Sequence, residues 1–240
     1  MMTRRRWIAD EFTATTAALT GVHAAHLART LRAKVGQHFD VACGERVYRA
    51  TVRSIEDDRV EFALGEEISA ARVSTPITLL LAVFKFDRME WAIEKCTELN
   101  ANNIIPVITR RTEKHLAQAA EKRVERWQRI AREAAQQSRR VAAPEIAGPV
   151  KLSDALQYHA NQKIVLAESE CELMLTEVLR GEEQVSSLAL AIGPEGGWTK
   201  DELQAFQGAG WIAASLGDTI LRAETAAIAA LAIARAELGS

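Results

Sequence analysis

Near its C-terminus the chain reads Ala191-Ile192-Gly193-Pro194-Glu195-Gly196-Gly197-Trp198, followed by Leu216-Gly217-Asp218-Thr219-Ile220-Leu221-Arg222-Ala223-Glu224-Thr225-Ala226. Each half is an apolar strand running into a glycine-containing loop and then a helix. Such a layout exposes backbone N–H and C=O groups at strand ends, where α/β proteins bind small ligands. Glycine permits backbone geometries that a side chain forbids and lets a ligand come close. Two such loops on neighbouring strands would wrap one nucleoside-like ligand. Gly196 is the position where an added side chain is expected to fill the space beside the loop backbone.

Working upstream, the same strand–helix alternation repeats. Ile77-Thr78-Leu79-Leu80-Leu81-Ala82-Val83-Phe84 is nearly all apolar, as for a strand buried on both faces of a parallel sheet. A helix follows with Met89, Ala92, Ile93, Cys96 and Leu99 on one stripe. Then come a strand at Ile104–Ile108, a long basic helix near 116–137, a loop with Pro144 and Pro149, and a short helix opened by Ser153. Further strands are expected at Ile164–Ala167, Leu188–Ile192 and Trp211–Leu216, and Thr199-x-x-Glu202 is a capping box that starts a helix. The pattern predicts an α/β domain with a mostly parallel sheet over 76–240. Residues 1–70 instead read as a small β-rich unit. Tyr48, Ala50 and Val52 alternate with arginines, Val60, Phe62 and Leu64 alternate with polar residues, and Asp57-Asp58 marks a turn. One helix, N-capped by Thr20 and running Val22–Leu31, interrupts it, and the polar stretch Gly65–Ser74 serves as connector.

Composition bounds the chemistry. With 240 residues, 48% of them hydrophobic, the chain can bury one large or two small cores. No apolar run reaches the roughly 18 residues of a membrane span, and the basic start at Arg4-Arg5-Arg6 is not followed by the apolar stretch of a signal peptide. Cys43, Cys96 and Cys171 are odd in number and form no metal-type pair, so they read as reduced thiols of a cytosolic protein without a metal site. Net charge is only −2, but between Arg110 and Arg140 ten Lys/Arg face four Glu. A one-sided basic surface can hold a phosphate backbone, although a merely solvated helix face accounts for the charge equally well. No P-loop is present, and Gly208-Ala209-Gly210 lacks the third glycine of a Rossmann loop and precedes a strand.

The GPEGGW and LGDTILRAETA segments together resemble the cofactor site of the SPOUT methyltransferases, specifically those that methylate uridine N3 in small-subunit ribosomal RNA (the RsmE family). Lys85-Phe86-Asp87-Arg88 with Glu94-Lys95-Cys96-Thr97-Glu98-Leu99 resembles that family's K-x-x-x…EKxTEL stretch, and Glu133-Ala134-Ala135-Gln136-Gln137-Ser138 its EA-x-Q-S segment. Arg5-Arg6-Trp7 and His26-Leu27-Ala28-Arg29-Thr30-Leu31-Arg32 are similar to its RNA-binding end, so the resemblance spans nearly the whole chain. Two positions depart from the pattern: Asn100 stands where the family has a helix-ending glycine, and Arg139 replaces the glycine of Q-S-G-R. Asn tolerates the left-handed capping conformation.

The resemblance implies a PUA-like RNA-binding β-barrel at 1–70, a linker at 71–75, and a SPOUT α/β domain at 76–240 whose C-terminal strands form a trefoil knot. It implies S-adenosyl-L-methionine (SAM) as cofactor, held by Leu166, Ala167, Gly193, Pro194, Glu195, Gly196, Gly197, Leu216, Gly217, Ile220 and Leu221. It implies 16S rRNA in the small ribosomal subunit as partner, contacted by Arg5, Arg6, His26, Arg29, Arg32, Arg126, Arg129, Arg139 and Arg140, and a homodimer packed through Ala226–Leu238. Arg222, Glu195 and Glu224 are the catalytic candidates: the Ile220–Leu221 pair would anchor the loop on the cofactor and leave the Arg222 guanidinium directed toward the sulfonium side, where it can act on the uridine, while the glutamates would accept a proton or orient the reacting groups. For Glu224, stabilisation of a helix N-terminus is an equal reading. A related enzyme acting on a tRNA ribose, and a non-catalytic ribosome-assembly factor, remain the rival readings.

Overall fold

The structure, a computed structural model, describes residues 5–70, 74–168, 173–181 and 185–239, with the side chains of 69 and 70 left aside. Arg4, Cys171 and positions 71–73 of the expected linker lie outside the described residues. The chain forms two compact units. One comprises Met1–Val73 with Arg132–Ala143, the other Ser74–Ala131 with Pro144–Ser240.

The first unit holds strands Trp7–Ile8 (β1), Glu11–Phe12 (β2), Thr16–Thr20 (β3), His38–Cys43 (β4), Arg46–Ile55 (β5) and Arg59–Ala70 (β6). They form one sheet in the order β1-β4-β5-β6-β3-β2, antiparallel except for β1 beside β4. The inward residues Trp7, Leu19, Phe39, Val41, Val52, Val60 and Phe62 fuse with Leu27 into a core, the burial that period-two patterning requires. The expected connector Gly65–Ser74 is corrected here: Gly65–Ala70 extends β6 and pairs with Arg46–Tyr48, through register shifts on both sides of Tyr48. The reason lies at Gly65. A Cβ there would stand 2.6 Å from the Arg49 carbonyl oxygen, so only glycine lets the two strands cross at this bulge. Thr20 occupies the N-cap position of helix Gly21–Ala25 (α1) but makes no side-chain cap bond, and the segment continues as a wider π-turn at His26–Thr30.

The second unit carries strands Ile77–Ala82 (β7), Asn103–Ile108 (β8), Glu145–Ile146 (β9), Val150–Lys151 (β10), Gln162–Leu166 (β11), Leu188–Ile192 (β12) and Ile212–Ala214 (β13). All pair in parallel, in the order β10-β8-β7-β12-β11-β13 with β9 beside β8. β7 is buried throughout, and its side chains divide between two cores. Ile77, Leu79 and Leu81 face helices Phe86–Glu98 (α2) and Ala223–Glu237, while Leu80 and Ala82 face Trp198, Phe206 and Trp211. The long basic helix is broken into Lys114–Ala119 (α3), a 3₁₀ turn at Glu121–Arg123 and Val124–Gln137 (α4). Leu152–Ala155 (α5) starts one residue before Ser153, and Leu175–Arg180 (α6), Lys200–Gly208 (α7) and Ala223–Glu237 (α8) complete the helices among the described residues. No helix among them is long and apolar enough to cross a membrane.

One topological point departs from the sequence reading. The strands that lead into the two loops, β12 and β13, are not neighbours, because β11 lies between them. Short β13 adds on the far side of β11, with Ile164 paired to both Leu190 and Ile212. The loops after β12 and β13 therefore flank the end of β11, and all three strand ends contribute to one place.

Candidate functional site

At the C-terminal ends of β11, β12 and β13 lies a cavity of about 210 Å³. Leu166, Ala167, Gly193, Pro194, Glu195, Gly196, Gly197, Leu216, Gly217, Ile220 and Leu221 all line it. Its apolar wall includes Ile192, Ala214, Ala223 and Ala226, and Arg111 and Glu168 add one charge of each sign.

Each loop is shaped by a local requirement. Gly197 closes a turn by donating its N–H to the Pro194 carbonyl at 2.8 Å, with φ at +69°. Trp198 then turns inward and donates Nε1–H to the Leu166 carbonyl at 2.9 Å, which ties the glycine loop to the end of β11. Its indole packs edge-on against Phe206 (4.8 Å between centroids), which packs on Trp211 at 5.2 Å. Gly193 lies directly over this indole, since a Cβ there would be 3.1 Å from Trp198 Nε1. At Gly196 the nearest neighbour of a Cβ is the Arg111 side chain at 3.2 Å. Gly217 has φ +126° with nothing within 4 Å of a Cβ. The capping box is formed: Glu202, 4% exposed, accepts from Thr199 N–H and also from Arg110 N–H, both at 2.8 Å. This second bond fixes the turn that carries Arg111, whose guanidinium donates to the Gly196 carbonyl.

Arg111, Glu168 and Trp198 are among the site residues that sequence reasoning missed. In the sequence Arg111 is one charge of a basic stretch, and Trp198 is the last residue of the GPEGGW motif. The indole donor beside a glycine-rich turn was the available signal.

The three catalytic candidates separate. Glu195 lines the cavity and accepts from Arg88 Nη1 at 3.0 Å. Glu224 is 4% exposed in the first turn of α8, 3.8 Å from Arg88 Nε, and is not part of the cavity wall. Arg222 occupies the N-cap position of α8, outside the cavity wall; its carbonyl accepts from Ala226 N–H at 2.8 Å, and its exposed side chain makes no ion pair or hydrogen bond with another described residue. The loop leaves the core after Leu216 and regains it only at Ala223, so Ile220, 81% exposed, and Leu221 stand in the cavity wall rather than in the core. One face of α8 is occupied within its own unit, where Ala223, Ala227, Ala230, Leu231 and Ala234 join the core, while Ala226, Ile228 and Ile233 are only partly buried.

The candidate RNA contacts fall in both units. In the first, Arg5 Nη1 reaches His26 Nε2 at 3.1 Å and stands over the Trp7 ring, Arg29 pairs loosely with Asp57, and exposed Arg32 sits at φ +51°. Arg139 bonds Asp40 at 2.8 Å and its carbonyl accepts from Arg6; its φ of +61° is the left-handed geometry that glycine would adopt freely. Burial, and then the like charge of Arg139, hold the Arg6 guanidinium below its usual pKa. Arg140 is partly buried in the same unit. Burial raises the Asp10 carboxyl, but bonds from His23 and the Thr20 N–H and the charge of Arg132 outweigh it and hold the group below its ordinary value. In the second unit Arg126 is spent in a two-pronged bond to Glu90, at 2.6 and 2.7 Å, while Arg129 is exposed. Asn100 takes φ +68°, so asparagine does supply the left-handed helix end.

The profile of the family described as "RNA methyltransferase domain" matches residues 71–235. A Synechocystis protein named ribosomal RNA small subunit methyltransferase E is 35% identical over 94% of this chain and 74% of its own length. Its namesake from Rickettsia conorii is 33% identical over 90% of this chain and 88% of its own. The crystal structure of a ribosomal RNA small subunit methyltransferase E from Neisseria gonorrhoeae, bound to S-adenosyl methionine, superposes with a TM-score of 0.84 at 29% identity, covering 98% of each chain. With a profile match over more than half its length and relatives of this identity, the chain belongs to the RNA methyltransferase family, among the ribosomal RNA small subunit methyltransferase E proteins.

Proposed function

We propose that this protein is a SAM-dependent methyltransferase that methylates N3 of a specific uridine in 16S rRNA, on the assembled 30S subunit. The observation that carries the reading is the convergence of eleven positions, from the end of β11 and from two loops, on one cavity, in a chain whose relative of known structure holds SAM. The cavity suits that ligand. Leu166, Ile192, Ala214 and Leu216 offer an apolar wall for a purine, and the open space beside Gly217 leaves its backbone approachable. When bound, SAM supplies a methyl group on a positively charged sulfonium.

The chain's own residues would do the rest. Loop backbone groups at 193–197 and 216–221 hold the adenosine and exclude water. Arg222, its side chain exposed and without a partner among the described residues, lies beside the uracil and stabilises the anion that forms as N3 loses its proton. The gain comes from that charge and from alignment of N3 with the methyl group. Residues 1–70 form a PUA-like RNA-binding domain, 71–75 a linker and 76–240 a SPOUT domain with a C-terminal knot. We further propose a cytoplasmic homodimer that packs through α8.

The test is a calorimetric SAM titration of the whole chain, followed by methylation of 16S rRNA and of 30S subunits with mass spectrometry of the product. Absence of SAM binding favours a ribosome-assembly factor. A methylated ribose in place of N3-methyluridine favours the 2′-hydroxyl enzyme.

A further inference from the structure

Glu195 and Glu224 share one cation that does not itself line the cavity. Arg88 stands in the first turn of α2, with Nη1 donating to Glu195 Oε1 at 3.0 Å and Nε 3.8 Å from Glu224 Oε1. Glu195 belongs to the glycine loop after β12. Glu224 is the second residue of α8, which follows the loop 216–222, and residues 193–197 and 216–221 of the two loops line the cavity. The Glu224 side chain is only 5% exposed and its Oε2 has no hydrogen-bond partner among the described residues. A carboxylate so buried is tolerated through an opposite charge and the N–H dipoles of the helix start it occupies. Deleting Arg88 would leave that anion uncompensated, and the strain would fall on the first turn of α8 and on the loop leading into it.

We propose that Arg88 is a positioning residue. It ties the glycine loop, through Glu195, to the start of α8, through Glu224, and so fixes the separation of two cavity walls. Glu195 and Glu224 are then the two ends of a tie rather than proton acceptors. The tie stands on these contacts alone, and its effect on cofactor affinity rests on the reading of the cavity as a SAM site.

Four proteins test it: Arg88→Gln, Arg88→Lys, Glu195→Gln and the double variant Arg88→Gln/Glu195→Gln. Hydrogen exchange of the ligand-free chain reads the loops, and calorimetry reads SAM. Arg88→Gln should speed exchange in both 193–197 and 217–224 and weaken SAM binding roughly tenfold, with the double variant no worse than Arg88→Gln, the non-additivity of one shared interaction. Arg88→Lys should restore part of both, because an ammonium is a point charge without the guanidinium's fork. Glu195→Gln should loosen 193–197 while 217–224 stays protected, and this partly exposed substitution serves if Arg88→Gln does not fold. Exchange that rises uniformly or in one segment only in Arg88→Gln, SAM affinity within twofold of wild type in that variant, additive losses, or wild-type exchange in Glu195→Gln would each overturn the tie. A wild-type chain that binds no SAM removes the cofactor reading, while the exchange data still decide the tie.

Discussion

Alanine substitution at three glycines of the cavity separates three physical reasons for glycine. At Gly193 the new Cβ meets Trp198 Nε1 at 3.1 Å, Cε2 at 3.3 Å and Cδ1 at 3.4 Å. The indole cannot yield easily, because its Nε1–H is bonded to the Leu166 carbonyl at 2.9 Å and its ring is wedged on Phe206. Overpacking of this kind costs about 1–3 kcal/mol. Relief requires Gly193 or Leu166 to move, and both line the cavity, so the cost is expected to appear as a loss of SAM affinity of roughly 5- to 100-fold. At Gly196 the obstacle is the Arg111 Cδ at 3.2 Å, on a flexible side chain that can swing away, so Gly196→Ala should bind SAM within a few-fold of wild type. At Gly217 space is open but φ is +126°, and an L-residue there costs on the order of 1–3 kcal/mol in backbone strain, which again falls on the loop. Calorimetric titration of the three variants, with near-ultraviolet circular dichroism to follow the tryptophans, gives the order. Wild-type affinity in Gly193→Ala together with a large loss in Gly196→Ala would refute the reasoning, because it would mean that the indole is not what fixes the loop.

Three further outcomes follow from named contacts. Arg222→Ala should lower single-turnover methylation by roughly two to three orders of magnitude, the scale of losing one charge-stabilising donor, while SAM affinity changes little; near-normal turnover would remove Arg222 from the chemistry. Arg129→Glu should weaken RNA binding and flatten the salt dependence by about one unit of slope or more, since this side chain is exposed, and binding unchanged at every salt concentration would make it only a solvated face. Burial pushes the Cys96 thiol from an ordinary 9.0 up to about 12 and the Cys43 thiol to about 11. Both folded values lie above the unfolded ones, so this contribution is fully present below pH 9 and is lost as pH rises toward the folded values, where only the unfolded chain has released its protons. Denaturant titrations between pH 8 and 10.5 should show this fall, and Cys96→Ala should make it shallower; an identical slope in that variant would reject the assignment.

Much of the fold could be read from local demands on the backbone. A nearly all-apolar run such as Ile77–Phe84 has no solvent face and must lie inside a parallel sheet. The Thr199/Glu202 box must start a helix, Asn100 must end one in the left-handed region, and a glycine loop at a strand end must leave backbone exposed. These requirements are satisfied within a few residues, so the two glycine loops were legible locally, while the full set of eleven cavity positions came from the resemblance of the motifs to a family. The tertiary structure decided what lies between elements distant in sequence. It placed β11 between β12 and β13, and it built Gly65–Ala70 into β6 because the partner backbone at Arg49 admits only glycine. It also assigned the charges. Arg88 meets Glu195 across 107 positions, Arg139 meets Asp40 across 99, and Arg126 closes on Glu90 across 36. A long charged side chain has no periodicity to betray its partner, and which acid it meets depends on where the packing of the apolar elements brings their surfaces together.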